Sequence, residues 1–255
     1  MIVRRTRNRL PATVAEYWQS RTWDRWTVET QEVANRGQHI RQRELSVSAV
    51  KSVGGRSLRV LDLCCGTGRV ANDLLALDNV DQVVALDINA QALKLLRKRL
   101  EHHPQKYKLV TVNGNFMDDD LLHSLGPFDV VVCLDALHHF PSLDGALIRI
   151  RKIMTAGGVF IGNYLRGERF ACHIIAIIGR MRYLRERLTT KVVRSLSFVP
   201  IIWESAGRRG IGRLIRMRSD MLERMVEARF EILKVDHTDY YWFSSSPRMN
   251  PETEQ

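Results

Sequence analysis

From residue 58 the chain alternates short, almost wholly apolar runs with stretches of helical periodicity, and this pattern constrains the fold more than any other feature. LRVLDL is followed by a helical stretch over 69–77, VDQVVALD by one over 90–102, KLVTVN by a loop, FDVVVCL by a helix over 143–154, and GGVFIGNY closes the series. Near-continuous Val, Leu and Ile runs belong to strands covered on both faces, so the pattern predicts a parallel sheet between two layers of helices. After Tyr164 the alternation stops for about sixty Arg-rich residues. FEILKVDH and YYWFSSS then follow a short step apart, which predicts an antiparallel hairpin at the edge of the sheet.

The flanking segments have a different character. Residues 12–50 carry Trp18, Trp23, Trp26, Val33, Ile40 and Leu45 among many charges and stop at Gly54-Gly55, which reads as one or two helices ahead of the sheet. Within the Arg-rich insertion, Phe170, Ile174, Ile177, Met181, Leu184 and Leu188 recur at helical spacing beside a basic face of Arg180, Arg182, Arg185, Arg187 and Lys191. The expected organisation is one domain over 1–255: an N-terminal helical cap (1–56), a sheet core (57–164), a helical lid insertion (165–228) and the final strands (229–246).

A length of 255 residues with 45% hydrophobic content suits one α/β domain with appendages. The formal charge of +11 fits either an acidic partner (nucleic acid, an anionic membrane surface, a negatively charged small substrate) or an Arg-rich solvated surface. Cys64, Cys65, Cys133 and Cys172 lack metal-type spacing and read as reduced thiols, and no metal site is expected. The start, MIVRRTRNRLP, is basic but leads into no apolar stretch, and the apolar run around Ile174–Ile178 is far shorter than the ~18 residues that cross a bilayer. A cytoplasmic protein without a transmembrane segment is therefore expected.

The chemistry concentrates at VLDLCCGTG, residues 60–68, where a buried strand runs into a small-residue turn that opens a helix. Gly66 and Gly68 let the backbone approach a ligand, and the helix start offers unpaired N–H groups. The dinucleotide fingerprint GxGxxG is not what stands here. Instead, an acidic residue, Asp62, precedes the GTG turn within the strand, and Asp87 ends the next strand in VVALDIN, where a carboxylate can accept two hydrogen bonds from ribose hydroxyls.

On these residues the sequence resembles the class I S-adenosylmethionine (SAM)-dependent methyltransferases, over roughly residues 58–164 and the last two strands. The resemblance implies an α/β fold, a Rossmann-like, doubly wound, mostly parallel seven-stranded sheet ending in the antiparallel hairpin. It also implies SAM as cofactor, leaving as S-adenosylhomocysteine. Asp62, Gly66 and Gly68 would line the methionine end, Asp87 would hold the ribose, and Ile88 would pack on the adenine. Asn115 stands after Gly114 where the family usually has an Asp that reads the adenine amino group, and Phe116 would flank the ring. Leu134 and Asp135 would lie near the amino-acid end of SAM.

In FDVVVCLDALHHF, His138 and His139 are the candidate catalytic residues: either could take a proton from the acceptor, or simply shape the chamber wall. Tyr17 in AEYW resembles a tyrosine that folds over SAM in several small-molecule methyltransferases, with helix packing as its other reading. Tyr164 ends the fifth strand at the ligand-binding edge of the sheet. The expected partner is a small-molecule acceptor, possible homo-oligomerisation being left open. An RNA methyltransferase is the alternative, motivated by the charge, although LDALHH stands where base-amino methylases carry an NPPY-like run. A SAM-fold protein that binds or rearranges a ligand without methyl transfer is the third reading.

Overall fold

The computed structural model describes residues 14–20, 36–53, 57–140, 142–165, 224, 226–237 and 240–247. β1 (Leu58–Leu63), β2 (Val80–Asp87), β3 (Leu109–Asn113), β4 (Phe128–Cys133) and β5 (Met154–Leu165) run parallel. β6 (Phe230–His237) and β7 (Tyr240–Pro247) pair antiparallel, with β7 against β5 and β6 outermost. The seven-stranded sheet has the order β3-β2-β1-β4-β5-β7-β6. This is the doubly wound, mostly parallel sheet with a reversed C-terminal hairpin that the alternation predicts.

The apolar runs of β1, β2, β4 and β5 show little polar face because each of these strands feeds two cores. Leu61, Leu63, Val84, Leu86, Val131, Cys133 and Phe160 face one cluster, while Leu58, Val60, Val83, Ala85, Val130, Val132 and Ile161 face the other. Successive side chains of a strand point to opposite faces, so a strand buried on both sides is apolar at most positions. The second cluster is covered by Val50 of α2 (Arg36–Ser52), Leu74 and Leu75 of α3 (Arg69–Leu75) and Leu93 and Leu96 of α4 (Ala90–Arg99). The first is covered by Leu122 and Leu125 of α5 (Asp119–Leu125) and by Leu143, Leu147 and Ile150 of α6 (Leu143–Lys152). Phe160, Phe230 and Phe243 join the hairpin to it, with ring centroids 5.3 and 5.2 Å apart around Phe160.

The departures from the sequence reading are local. α5 occupies a stretch expected to be a loop; at seven residues it is too short to display a period, although Asp118 caps it by accepting from the Asp120 N–H. β5 begins at Met154 rather than Gly157, because the ladder slips between the Phe128–Met154 and Val130–Val159 pairs. The N-terminal helices are α1 (Val14–Ser20) and α2. Trp23, Trp26 and the proposed lid stripe from Phe170 to Leu188 lie outside the described residues.

Two edges of the sheet divide the labour. At the amino edge, Arg59 donates to Gln82 Oε1 at 2.8 Å and to the carbonyls of Leu125, Gly126 and Pro127, and lies 4.5 Å from the centroid of the Phe128 ring. At the carboxyl edge the winding reverses between β1 and β4, which opens the crevice where sheets of this kind bind ligands.

Candidate active site

β1 leaves the sheet through a turn in which Cys64, Gly66 and Gly68 adopt φ of 58°, 54° and 75°. Such left-handed steps aim backbone N–H groups into a common hollow. The Gly66 N–H reaches Asp87 Oδ2 at 2.8 Å, and the Cys65 N–H reaches the Leu86 carbonyl at 3.1 Å, tying the turn to the end of β2. The two glycines serve different ends. A Cβ on Gly66 would meet nothing within 4 Å, so open space stands above it, whereas one on Gly68 would come within 2.5 Å of the Leu96 side chain. Close packing of α4 against the turn accounts for Gly68 without a ligand.

Asp62 and Asp87 sit on either side of this turn. Asp62 is buried and accepts the Ala71 N–H at 3.1 Å, capping α3 where its N-cap residue, Gly68, has no side chain. Burial pushes the Asp62 carboxyl up to about 7, against the lowering effect of the Ala71 bond and with a further raising contribution from Asp87. Asp87 is raised as well, chiefly by burial, while the Asn89 and Gly66 N–H groups hold it down. Each Asp87 oxygen takes one backbone bond, from Gly66 and from Asn89 at 2.8 Å, and keeps lone-pair capacity for one more.

Asn89 is the joint of this side of the crevice. Its Oδ1 caps α4 by accepting from Ala92 at 2.9 Å, and its Nδ2 donates to the Trp18 carbonyl of α1 at 2.6 Å. The Trp18 ring lies 4.8 Å, centroid to centroid, from that of His139, in a 3₁₀ turn (Leu137–His139) beyond β4. Helix α1 therefore bridges the carboxyl edge from the end of β2 to the exit of β4. Tyr17 belongs to this helix; its side chain, like those of His138 and Tyr164, lies outside the described residues.

The other expected residues are distributed as follows. Ile88 is half-buried beside Asp87. Asn115 Oδ1 accepts the Met117 N–H at 3.0 Å, a turn-forming bond, and its side chain is exposed. Phe116 is almost fully buried, its ring edge-on to Phe140 at 6.0 Å, so the core already accounts for it. Leu134 is half-buried against the second cluster. The thiols of Cys64 and Cys65 are both pushed up, Cys64 first by its hydrogen bond with Cys133 and then by burial, Cys65 by burial, and both cysteines, with Cys133, are free.

Asp135, expected near the amino-acid end of SAM, is held by protein groups on two sides. Its φ is 57°, a left-handed conformation unusual for a residue with a Cβ. Its N–H donates to Asn163 Oδ1 at 2.5 Å, Asn163 Nδ2 donates back to Asp135 Oδ1 at 3.0 Å, and Asp135 Oδ2 stands 2.9 Å from His39 Nδ1 of α2. His39 and Asn163 were not singled out by the sequence. Asn163 had a legible signal, a polar residue amid an apolar strand; His39, in a helix of weak amphipathic pattern, had none.

The reversed sheet order, the glycine turn opening on space and a carboxylate at the neighbouring strand end define a Rossmann-like binder of a ribose-bearing cofactor. Residues 61–160 match the family described as a methyltransferase domain. The sterol 24-C-methyltransferase of Debaryomyces hansenii is 32% identical over 108 residues, 41% of this chain and 27% of that protein. The demethylmenaquinone methyltransferase of Leptospira interrogans is 31% identical over 104 residues, 41% of each chain. This chain thus spans between about a quarter and two fifths of the length of these curated relatives. Among solved structures, the [4+2]-cyclase SpnF superposes with a TM-score of 0.55 at 12% identity, covering 82% of this chain and 81% of that one, a likeness of fold. Over residues 61–160 the chain carries a methyltransferase domain and is similar to the class I SAM-dependent methyltransferases.

The residues present fit SAM, the cofactor of that family. Open space over Gly66, spare lone pairs on Asp87 for ribose hydroxyls, and a buried Asp62 carboxyl that a cation would ionise are the complements of its three polar parts. When bound, SAM supplies an electrophilic methyl group on a sulfonium sulfur.

Proposed function

We propose that the chain transfers the methyl group of SAM to a small or medium-sized organic acceptor. The observation that carries this reading is the Asp87 carboxylate, fixed by the Gly66 and Asn89 N–H groups beside the open turn, at the edge where the sheet order reverses. In-line displacement on a sulfonium asks mainly for positioning, which rigid strand ends supply. In this reading Asp62 meets the amino group of SAM, Ile88 and Asn115 border the adenine, and Trp18 and His139 wall the chamber.

The relatives support a small acceptor, one being named for a sterol and the other for demethylmenaquinone. We assign acceptor choice to the segments outside the strand-helix alternation, residues 1–56 and 165–228, the second of which carries the apolar Phe170 to Leu188 stripe in its sequence. The expected consequence is that Ile177→Asp or Met181→Asp abolishes acceptor turnover while SAM affinity stays within a few-fold. The direct test incubates the protein with methyl-labelled SAM and either a small-molecule cell extract or total RNA, followed by mass spectrometry. Label in low-molecular-mass products, with matching S-adenosylhomocysteine, is expected. Label in RNA alone would overturn the acceptor class, and no S-adenosylhomocysteine with either would overturn methyl transfer.

A further inference from the structure

We propose that His39 is the general base of the reaction, oriented by Asp135, and that the acceptor is therefore one that loses a proton on methylation, a hydroxyl or phenol in the first instance. The proposal rests on the methyl-transfer reading above. It begins with a contact at the carboxyl edge: His39 Nδ1 lies 2.9 Å from Asp135 Oδ2. A carboxylate accepts only, so the bond makes Nδ1 the donor and leaves Nε2 of the neutral ring with its lone pair. Asp135 in turn is fixed on both sides by Asn163, through the 2.5 Å bond from its own N–H and the 3.0 Å bond to Oδ1. Base, orienting carboxylate and a group that locks the carboxylate form a chain whose members come from α2, the exit of β4 and β5.

Anchoring the cap helix does not explain this arrangement. One turn further along α2, Arg43 already pairs with Asp73 at 2.6 Å, and Leu45, Val47, Ala49 and Val50 pack on the core. The left-handed Asp135, by contrast, is a conformation held at a cost, of the kind that functional sites retain. A second observation lies on the same helix. Gln42, one turn after His39, is 3% exposed, yet neither its amide nitrogen nor its oxygen has a hydrogen-bond partner among the described residues. An unmet buried amide one helical turn from the histidine is a group that a polar ligand can satisfy.

A lone pair of the acceptor oxygen forms the new O–C bond, the S–C bond breaks with its electrons returning to sulfur, the acceptor proton passes to His39 Nε2, and it leaves for solvent in the next turnover. Loss of a positioned base costs on the order of 10²-fold or more in rate.

Two measurements on the full chain test this. In ¹⁵N-histidine NMR, His39 should show the Nδ1–H tautomer, Asp135→Asn should shift it toward the other tautomer, and Asp135→Glu should restore part of the signal. A His39 protonated at Nε2 in the parent would overturn the dyad. In the labelled-SAM extract assay, His39→Gln should lower formation of the labelled product by about 10²-fold, with S-adenosylhomocysteine affinity within a few-fold and part of the rate returned by added imidazole. A labelled product formed equally fast by parent and His39→Gln would overturn the proposal and leave methyl transfer standing. A parent that forms no product at all would sink the methyl-transfer reading and this proposal with it.

Discussion

The turn after β1 separates two glycines that look equivalent in the sequence. Both hold left-handed backbone, so alanine at either costs about 1–2 kcal/mol from φ alone. At Gly68 the added Cβ also strikes Leu96, whereas at Gly66 it enters open space. Gly66→Ala should therefore fold with a modest loss of Tm but bind SAM at least ten-fold more weakly; Gly68→Ala should lose more stability. Equal SAM affinity for Gly66→Ala and the parent would show that the space above the turn is not where the cofactor lies. The Asp62 carboxyl adds a pH dependence of definite sign. With its folded value raised to about 7, the native chain holds a proton through pH 4–7 that the unfolded chain has already released. Raising pH through that window should lower the stability of the ligand-free protein by a few kcal/mol, of order the ~1.4 kcal/mol per unit that linkage gives. Because a bound cation favours the ionised carboxyl, SAM should bind more tightly as pH rises toward 7 and release protons on binding, which calorimetry in buffers of different ionisation enthalpy reads directly.

At the scale of elements, helix α1 is fastened to the sheet through Asn89, which also caps α4. Asn89→Ser keeps a capping oxygen but cannot reach the Trp18 carbonyl. It should leave global stability within about 0.5 kcal/mol and speed amide exchange across α1, while Asn89→Ala should cost a further ~1 kcal/mol for the lost cap. Unchanged exchange in α1 for both variants would mean that the bond does not hold the helix. The central strands β1, β2 and β4 were legible in the sequence because burial on both faces leaves them rich in Val and Leu, a local signal. The glycine turn and Asp87 were legible for a similar reason, each standing at the end of such a run. The bulge that carries β5 back to Met154, and the seven-residue α5, have no period long enough to read. The His39–Asp135–Asn163 chain joins residues far apart in sequence, and only the packing of α2 over the β4 and β5 ends brings them together.

The whole molecule keeps stability and chemistry at opposite edges of one sheet. The amino edge is knotted by Arg59, whose five-donor guanidinium serves Gln82 and three carbonyls. Arg59→Ala should destabilise the fold by about 2–4 kcal/mol, a loss seen in the denaturant midpoint, without changing SAM affinity in the folded protein. The carboxyl edge carries the turn, both aspartates and the His39 dyad, and among the described residues no helix is long and apolar enough to cross a membrane. SAM bound at this edge must be held through Asp87. Titration calorimetry of SAM into the parent and into Asp87→Ala tests it most directly. Removal of two charge-assisted hydrogen bonds, each worth roughly 1.5–3 kcal/mol, should weaken SAM by at least ten-fold. Unchanged affinity in a folded Asp87→Ala chain would show that SAM is not held at this edge.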